Sequence, residues 1–159
     1  MKKSLVVALV MLSQSVFALS TGTLVISGNV TPVNDIVISP NSNATSLNIV
    51  SGETNKLVAS VAESSNNLTG YKIYMKSASG SKLVHGVDAT KSTPYTVSYN
   101  GATAIALTPA LVDKEVKNVT SLSQLTTNNS NVNVNVTGYT LAPAGTYSDT
   151  ITISIVANN

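Results

Sequence analysis

Apolar and polar residues alternate along most of this chain. From Thr23 to Val156 the hydrophobic positions recur mainly with a period of two, the spacing that puts every second side chain on one face of a β-strand. The alternation predicts strands over Thr23–Val30, Asp35–Ile38, Ser46–Val50, Lys56–Ala62, Tyr71–Ser77, Lys82–His85, Tyr95–Tyr99, Thr103–Leu107, Val132–Gly138 and Tyr147–Val156. Asn100-Gly101, set between Tyr95–Tyr99 and the alternating Thr103–Leu107, predicts a two-residue type I′ hairpin, whose central residues both need positive φ. Ser51-Gly52, Ala78-Ser79-Gly80 and Ala142-Pro143-Ala144-Gly145 mark further turns. One stretch breaks the pattern: Val112, Val116, Val119 and Leu122 recur at helical spacing within Ala110–Leu125, which reads as a short helix or an irregular crossover. The weak helix propensity of Asn118-Val119-Thr120 and of the Ser/Thr/Asn-rich Ser121–Asn131 favours the crossover. Short strands separated by polar turns predict an all-β fold, an Ig-like antiparallel sandwich of two layers.

The two ends of the chain carry complementary patterns. Leu24, Ile26, Gly28 and Val30 fall on one face of an N-terminal strand, and Ile151, Ile153 and Ile155 on one face of the last strand, opposite Thr150, Thr152 and Ser154. With the sequence ending four residues after Ile155, a strand beside that edge has to come from the N-terminus of the same molecule or of another. Burial of Leu24, Ile26 and Val30 at about 1.5–3 kcal/mol each contributes roughly 5–9 kcal/mol, comparable to the net stability of a whole domain. Two readings stay open at this point. Thr23–Val30 is either a strand lent to a neighbour, or the first strand of a self-sufficient sandwich with Gly28 at a bulge.

Composition narrows the setting. Lys2 and Lys3 followed by the apolar run Leu5–Leu12 and small residues read as a secretion signal over residues 1–20, cut after Ala18 or Ser20. The run is about 8 residues, well short of the roughly 20 of a spanning helix, so no membrane span is expected and the mature chain is exported. Loss of the signal removes two of the nine lysines, leaving seven against seven carboxylates, a nearly neutral chain without arginine. Scattered lysines without arginine do not make a phosphate-binding stripe, so nucleic acid is not an expected partner. The chain has no cysteine, and its only Phe lies in the signal, so a single domain of about 140 residues must be held by packing of Val, Ile, Leu, Ala and six Tyr.

No constellation for catalysis emerges, and no enzyme, cofactor or metal is expected. His85 is the single histidine, with no partner nearby in sequence, and reads as a strand-end surface residue. The seven carboxylates are spread out, and Asp113 and Glu115 flanking Lys114 read as a solvated face rather than an acid–base pair. Six Asn-X-Ser/Thr sequons, at Asn29, Asn43, Asn67, Asn118, Asn128 and Asn135, follow from the abundance of Asn, Ser and Thr. Tyr71, Tyr74, Tyr95 and Tyr99 could stack on sugars, but core packing or cross-strand pairing is the expected use.

Three separated motifs carry a resemblance. Leu24-Val25-Ile26-Ser27-Gly28-Asn29-Val30-Thr31-Pro32-Val33 resembles the donor strand of the major pilins of the chaperone–usher pathway, above all the cysteine-free class 5 group of colonisation-factor fimbriae. Pro94–Gly101 is similar to that group's aromatic-Gly hairpin, and Ala144-Gly145-Thr146-Tyr147 with the strand after it is similar to the Ala-Gly-x-Tyr lead-in to the last strand of these pilins. Ser65–Leu83 also resembles spore-coat-U-type and archaic subunits. The penultimate tyrosine and the disulfide of classical pilins are missing.

The resemblance implies a signal peptide (1–20), a donor strand (21–32) and an incomplete sandwich (33–159). It implies Leu24, Ile26, Gly28 and Val30 as donor positions, with Gly28 over a shallow point of the groove, and Ile151, Ile153 and Ile155 as a wall of the acceptor groove that a chaperone also contacts. The implied partners are neighbouring subunits in a homopolymer, a periplasmic chaperone and an outer-membrane usher, with the cell-surface fimbrium as destination. The competing expectation is a secreted, self-complete sandwich that recognises glycan or protein through its loops.

Overall fold

Where the sequence alternates most cleanly, strands form. The structure is a computed structural model that describes residues 20–109 and 113–158. The chain divides into two units, Met1–Val30 and Thr31–Asn159. The signal segment up to residue 19, and Ala110–Val112 of the helix-or-crossover stretch, lie outside the described residues.

The second unit is an all-β sandwich. Its strands are β1 (Asn34–Pro40), β2 (Glu53–Ser65), β3 (Tyr71–Ser77), β4 (Lys82–His85), β5 (Ser92–Tyr99), β6 (Lys114–Val119), β7 (Thr126–Val136), β8 (Tyr147–Ser148) and β9 (Ile151–Ala157). One sheet has the order β1-β2-β7-β5-β4-β8 and the other β6-β3-β9, and every pairing is antiparallel. The alternation decides what goes inside: Tyr71, Ile73 and Met75 of β3 meet Val61 of β2, Tyr95, Val97 and Tyr99 of β5 and Val132, Val134 and Val136 of β7 in one core. Tyr71, Tyr95 and Tyr99 therefore take the core role expected of them, whereas Tyr74 points to the other side of β3.

The Asn100-Gly101 turn forms as expected, with φ of 49° and 76° and Ala102 N–H donating to the Tyr99 carbonyl at 3.0 Å. Its second arm does not continue as a strand. Thr103–Leu107 makes one isolated bridge, Val97 to Ile105, and Leu107 instead donates its N–H to Ser81 Oγ at 2.6 Å. Ser46–Val50 is likewise not a strand. Asn41 caps a 3-10 turn at Ser42–Thr45, Asn48 Oδ1 takes the Ser51 N–H, and Leu47 and Ile49 pack on the core without a ladder.

The helix-like spacing around Lys114–Val119 proves to be a bulged strand. The β3–β6 register shifts between Ile73 and Tyr74, so Ile73 faces Lys117 while Tyr74 faces Glu115. The extra residue, Val116, turns toward the core together with Val119. A bulge thus reproduces an i, i+3 spacing without any helix. Thr23–Val30 is also corrected: residues 20–33 carry no regular structure, because a strand exists only with a ladder partner.

His85, at the end of β4, is 9% exposed rather than a surface residue. Its Nδ1 accepts the N–H groups of Val87 and Asp88 at 3.2 and 3.0 Å, Nε2 donates to the Ala144 carbonyl at 3.1 Å, and Tyr147 stacks edge-on with centroids 5.0 Å apart. This packing explains the glycine of the Ala-Gly-x-Tyr motif. A Cβ on Gly145, which has φ +153°, would sit 2.1 Å from His85 Nε2. Gly145→Ala is expected to lower stability by about 2–3 kcal/mol in chemical denaturation. Combined with His85→Ala it should cost less than the sum of the two single changes, since part of the penalty is their collision.

Candidate functional site

Four strands of the sandwich, β1, β8, β6 and β9, have a ladder on one side only, and β1 and β9 bring two of these edges together. β1 pairs with β2 and β9 with β3, and the two are neighbours without forming a ladder to each other. Between them lies a groove of about 360 Å3. Ile38 and Pro40 of β1, with Ala44 and Leu47 after it, make one wall, and Ile151 and Ile153 of β9 make the other. Val58 and Ala59 of β2, Val132 and Val134 of β7, Leu83 and Tyr95 form the floor. Alternation explains Ile38 and Pro40, Ile151 and Ile153, and Val132 and Val134, each pair on one face of its strand, while the register shift between Leu57 and Ala59 lets the consecutive Val58 and Ala59 both reach the groove.

Of the acceptor residues expected from sequence, Ile151 and Ile153 line this groove. Ile155 lies further along β9, beside Ile73, partly buried against the core. Asp149 and Thr150 close one end. Asp149 is held in place by Tyr95 Oη at 2.7 Å, the Ser79 N–H at 3.0 Å and the Ser77 hydroxyl. Burial and then this carboxylate push the Tyr95 phenol above its ordinary pKa, so it remains a neutral donor. With one carboxylate already satisfied and aliphatic groups elsewhere, the groove lacks the convergent polar groups that orient a small ligand or a reaction. Its chemistry suits apolar side chains arriving on a strand that also supplies backbone N–H and C=O groups.

The expected donor positions are found in the other unit. Leu24, Ile26 and Val30 are 84%, 89% and 80% exposed, and no atom lies within 4 Å of a Cβ built on Gly28. Bare aliphatic side chains on a segment without a ladder are costly in water unless something covers them.

The residue that sequence reading missed is Glu63. It lies on β2 and is fully buried, and side chains of four other strands gather around it. Lys117 Nζ of β6 and Tyr71 Oη of β3 donate to Oε2, each at 2.6 Å, and Tyr99 Oη of β5 donates to Oε1 at 2.5 Å. Ser130 Oγ accepts from Lys117 at 3.1 Å and Asn128 donates to Tyr71 Oη at 2.9 Å, both from β7. Burial alone would raise the Glu63 pKa, but the Lys117 ammonium and the surrounding hydroxyls outweigh it and hold the carboxyl below its ordinary 4.5. Burial and the same carboxylate push the Tyr71 phenol up to about 12. This is a satisfied ion pair stapling one sheet to the other. The available signal was parity: Glu63 occupies an inward position between Val61 and Ser65.

Asp113 and Glu115 meet Lys76 and Lys72 at 3.4 and 2.8 Å on the outer face of the smaller sheet, the solvated arrangement expected of them. Among the described residues no group of three or more His, Asp or Glu is placed to hold a metal ion, and no helix is long and apolar enough to cross a membrane. No protein-family model matches the chain, and comparison with curated proteins finds no match.

Proposed function

We propose that this protein is a structural subunit of a bacterial surface fimbria, assembled by donor-strand complementation and serving adhesion or biofilm formation. The observation that carries the reading is an apolar groove between two strand edges, in a chain whose N-terminus bears an alternating aliphatic segment with no ladder of its own. Leu24, Ile26 and Val30 of one subunit would enter the groove of the next, with Gly28 at a point where a side chain would collide. In the periplasm a chaperone strand would occupy the same groove beside Ile151, Ile153 and Ile155 until the outer-membrane usher exchanges it. The resemblance of three separated motifs to class 5 pilins supports the same reading.

Ile26→Asp places a charge where an aliphatic group would be buried, and burial of an unpaired charge is prohibitive. Fibres on the cell surface, counted by electron microscopy, should disappear in this variant while the exported subunit is still found in the periplasm by immunoblot. Gly28→Val should act in the same direction. Normal fibres from Ile26→Asp would overturn the assignment, and a stable secreted monomer in place of fibres would favour the self-complete binding module.

A further inference from the structure

We infer that the bodies of successive subunits meet end to end, the loops carrying Leu68 and Leu125 of one copy seating on the loops carrying Val50 and Leu141 of the next. Resting on the donor-strand reading above, this contact is a second one, outside the groove. The lent strand has no slack behind it. Val30 is followed at once by Thr31, whose carbonyl accepts from Asn66 Nδ2 at 2.9 Å, while Asn66 Oδ1 takes the Val33 N–H at 2.8 Å. Only Thr31 and Pro32 separate Val30 from Val33, so the body begins within about 11 Å of the strand it lends. Wherever that strand is seated, the Asn66–Leu68 end of its own subunit has to follow.

The same turn sets which way the strand would run. Asn66 fastens the start of β1, and Asn67 Nδ2 donates to the Asn158 carbonyl at 3.0 Å just past the end of β9, so the two walls are tied to one turn there. At the other end Thr150 is exposed, next to Ile151 at the start of β9. A strand whose chain continues into a folded body would therefore emerge over Thr150, with Val30 at that end. The loops around Thr150 are those of Val50 and Leu141. Tyr147-Ser148 leads straight into Asp149-Thr150, the Tyr147 ring meets that of Tyr139 edge-on at 6.5 Å, and Tyr139 donates its N–H to the Ile49 carbonyl at 2.8 Å.

Both ends have the surface such a contact needs. Leu68 and Leu125 are exposed on one, in loops joined where the Leu122 N–H meets the Leu68 carbonyl at 3.2 Å, and Val50 and Leu141 are exposed on the other. Neither set of loops carries a charge. No lysine, aspartate or glutamate occurs between Asp35 and Glu53, between Glu63 and Lys72, or between Lys117 and Asp149, and the chain has no arginine. Loss of charged residues with exposed aliphatic groups is the composition of the centre of a protein–protein interface. The two ends differ from each other, so the contact is heterologous and repeats along a filament without closing into a ring.

The test uses fibres as the cell assembles them. The chain has no cysteine, so introduced pairs report the contact without background. Leu68→Cys combined with Leu141→Cys, and Leu125→Cys combined with Val50→Cys, are treated with a short bismaleimide, boiled in SDS and run on gels. At least one pair should give a ladder of dimers, trimers and longer species. Each single variant should give monomers, because a head-to-tail contact never sets a residue beside its own copy. All four positions are exposed, and two independent pairs guard against one variant that fails to fold. Fibres visible by electron microscopy that yield only monomers from both pairs, or dimers from a single variant, would overturn the contact and leave the donor strand standing. A natural chain that forms no fibres would remove both.

Discussion

Lys117→Met should destabilise the sandwich by about 3–5 kcal/mol, the cost of leaving a buried carboxylate without its counter-charge. Glu63 is fully buried, and Tyr71 and Tyr99 would remain as its only phenolic donors. Urea denaturation of the single variant, of Glu63→Leu and of the double variant measures this directly. The double variant should recover most of the loss, because removing both charges leaves neither unpaired. A Lys117→Met protein as stable as the parent would show that the pair contributes nothing.

The same pair sets an acid limit. Glu63 has its pKa lowered in the folded state, so its contribution is fully present above the ordinary carboxylate value of 4.5 and is lost as the pH falls through the lower folded value. Stability of the parent should accordingly decline below about pH 4.5 more steeply than that of the Glu63→Leu, Lys117→Met double variant.

Moving the N-terminal segment to the other end is the second change with a large expected effect. A chain that lacks Thr21–Val30 at its start and carries a copy after Asn159, through a short flexible linker, should be a monomer melting about 20 °C or more above the natural mature chain. The gain comes from Leu24, Ile26 and Val30, now bare, being buried at roughly 5–9 kcal/mol in all. The linked copy can reach the groove of its own molecule at high effective concentration. Thermal melts with size-exclusion profiles decide the matter: a natural chain that is already a stable monomer, and gains nothing from the move, has no use for a further strand.

Strand positions were legible wherever one face met the core and the other met water. β3 and β4 fall on their expected residues because Tyr71, Ile73 and Met75 alternate with Lys72, Tyr74 and Lys76, and Leu83 and His85 with Lys82 and Val84. Legibility failed where the backbone departs from a plain ladder. The bulge at Val116 shifts parity and imitates a helical spacing, while the arm at Thr103–Leu107 spends its inward residues on one bridge and a bond to Ser81. At the groove, Ile151 and Ile153 could be read from the final alternation, but its floor could not. Val58, Ala59, Leu83, Tyr95, Val132 and Val134 come from four strands that only the tertiary pairing brings side by side. Glu63 and Lys117 were hidden for a different reason: a charged residue at an inward position is explained only by a partner 54 residues away.

The buried ion pair and the groove occupy different stretches of the same strands. On β2, β5 and β7 the staple uses Glu63, Tyr99 and Ser130, while the groove floor uses Ala59, Tyr95 and Val134. Local stability is thus graded along each strand rather than divided between strands. One end of the sandwich is closed by a network linking both sheets, and the other depends on aliphatic contacts facing a gap. On the proposed assembly this gives the fold a polarity to its breathing: the half that would admit a donor strand would part while the far half keeps the two layers in register, so accepting a strand would not require loss of the fold.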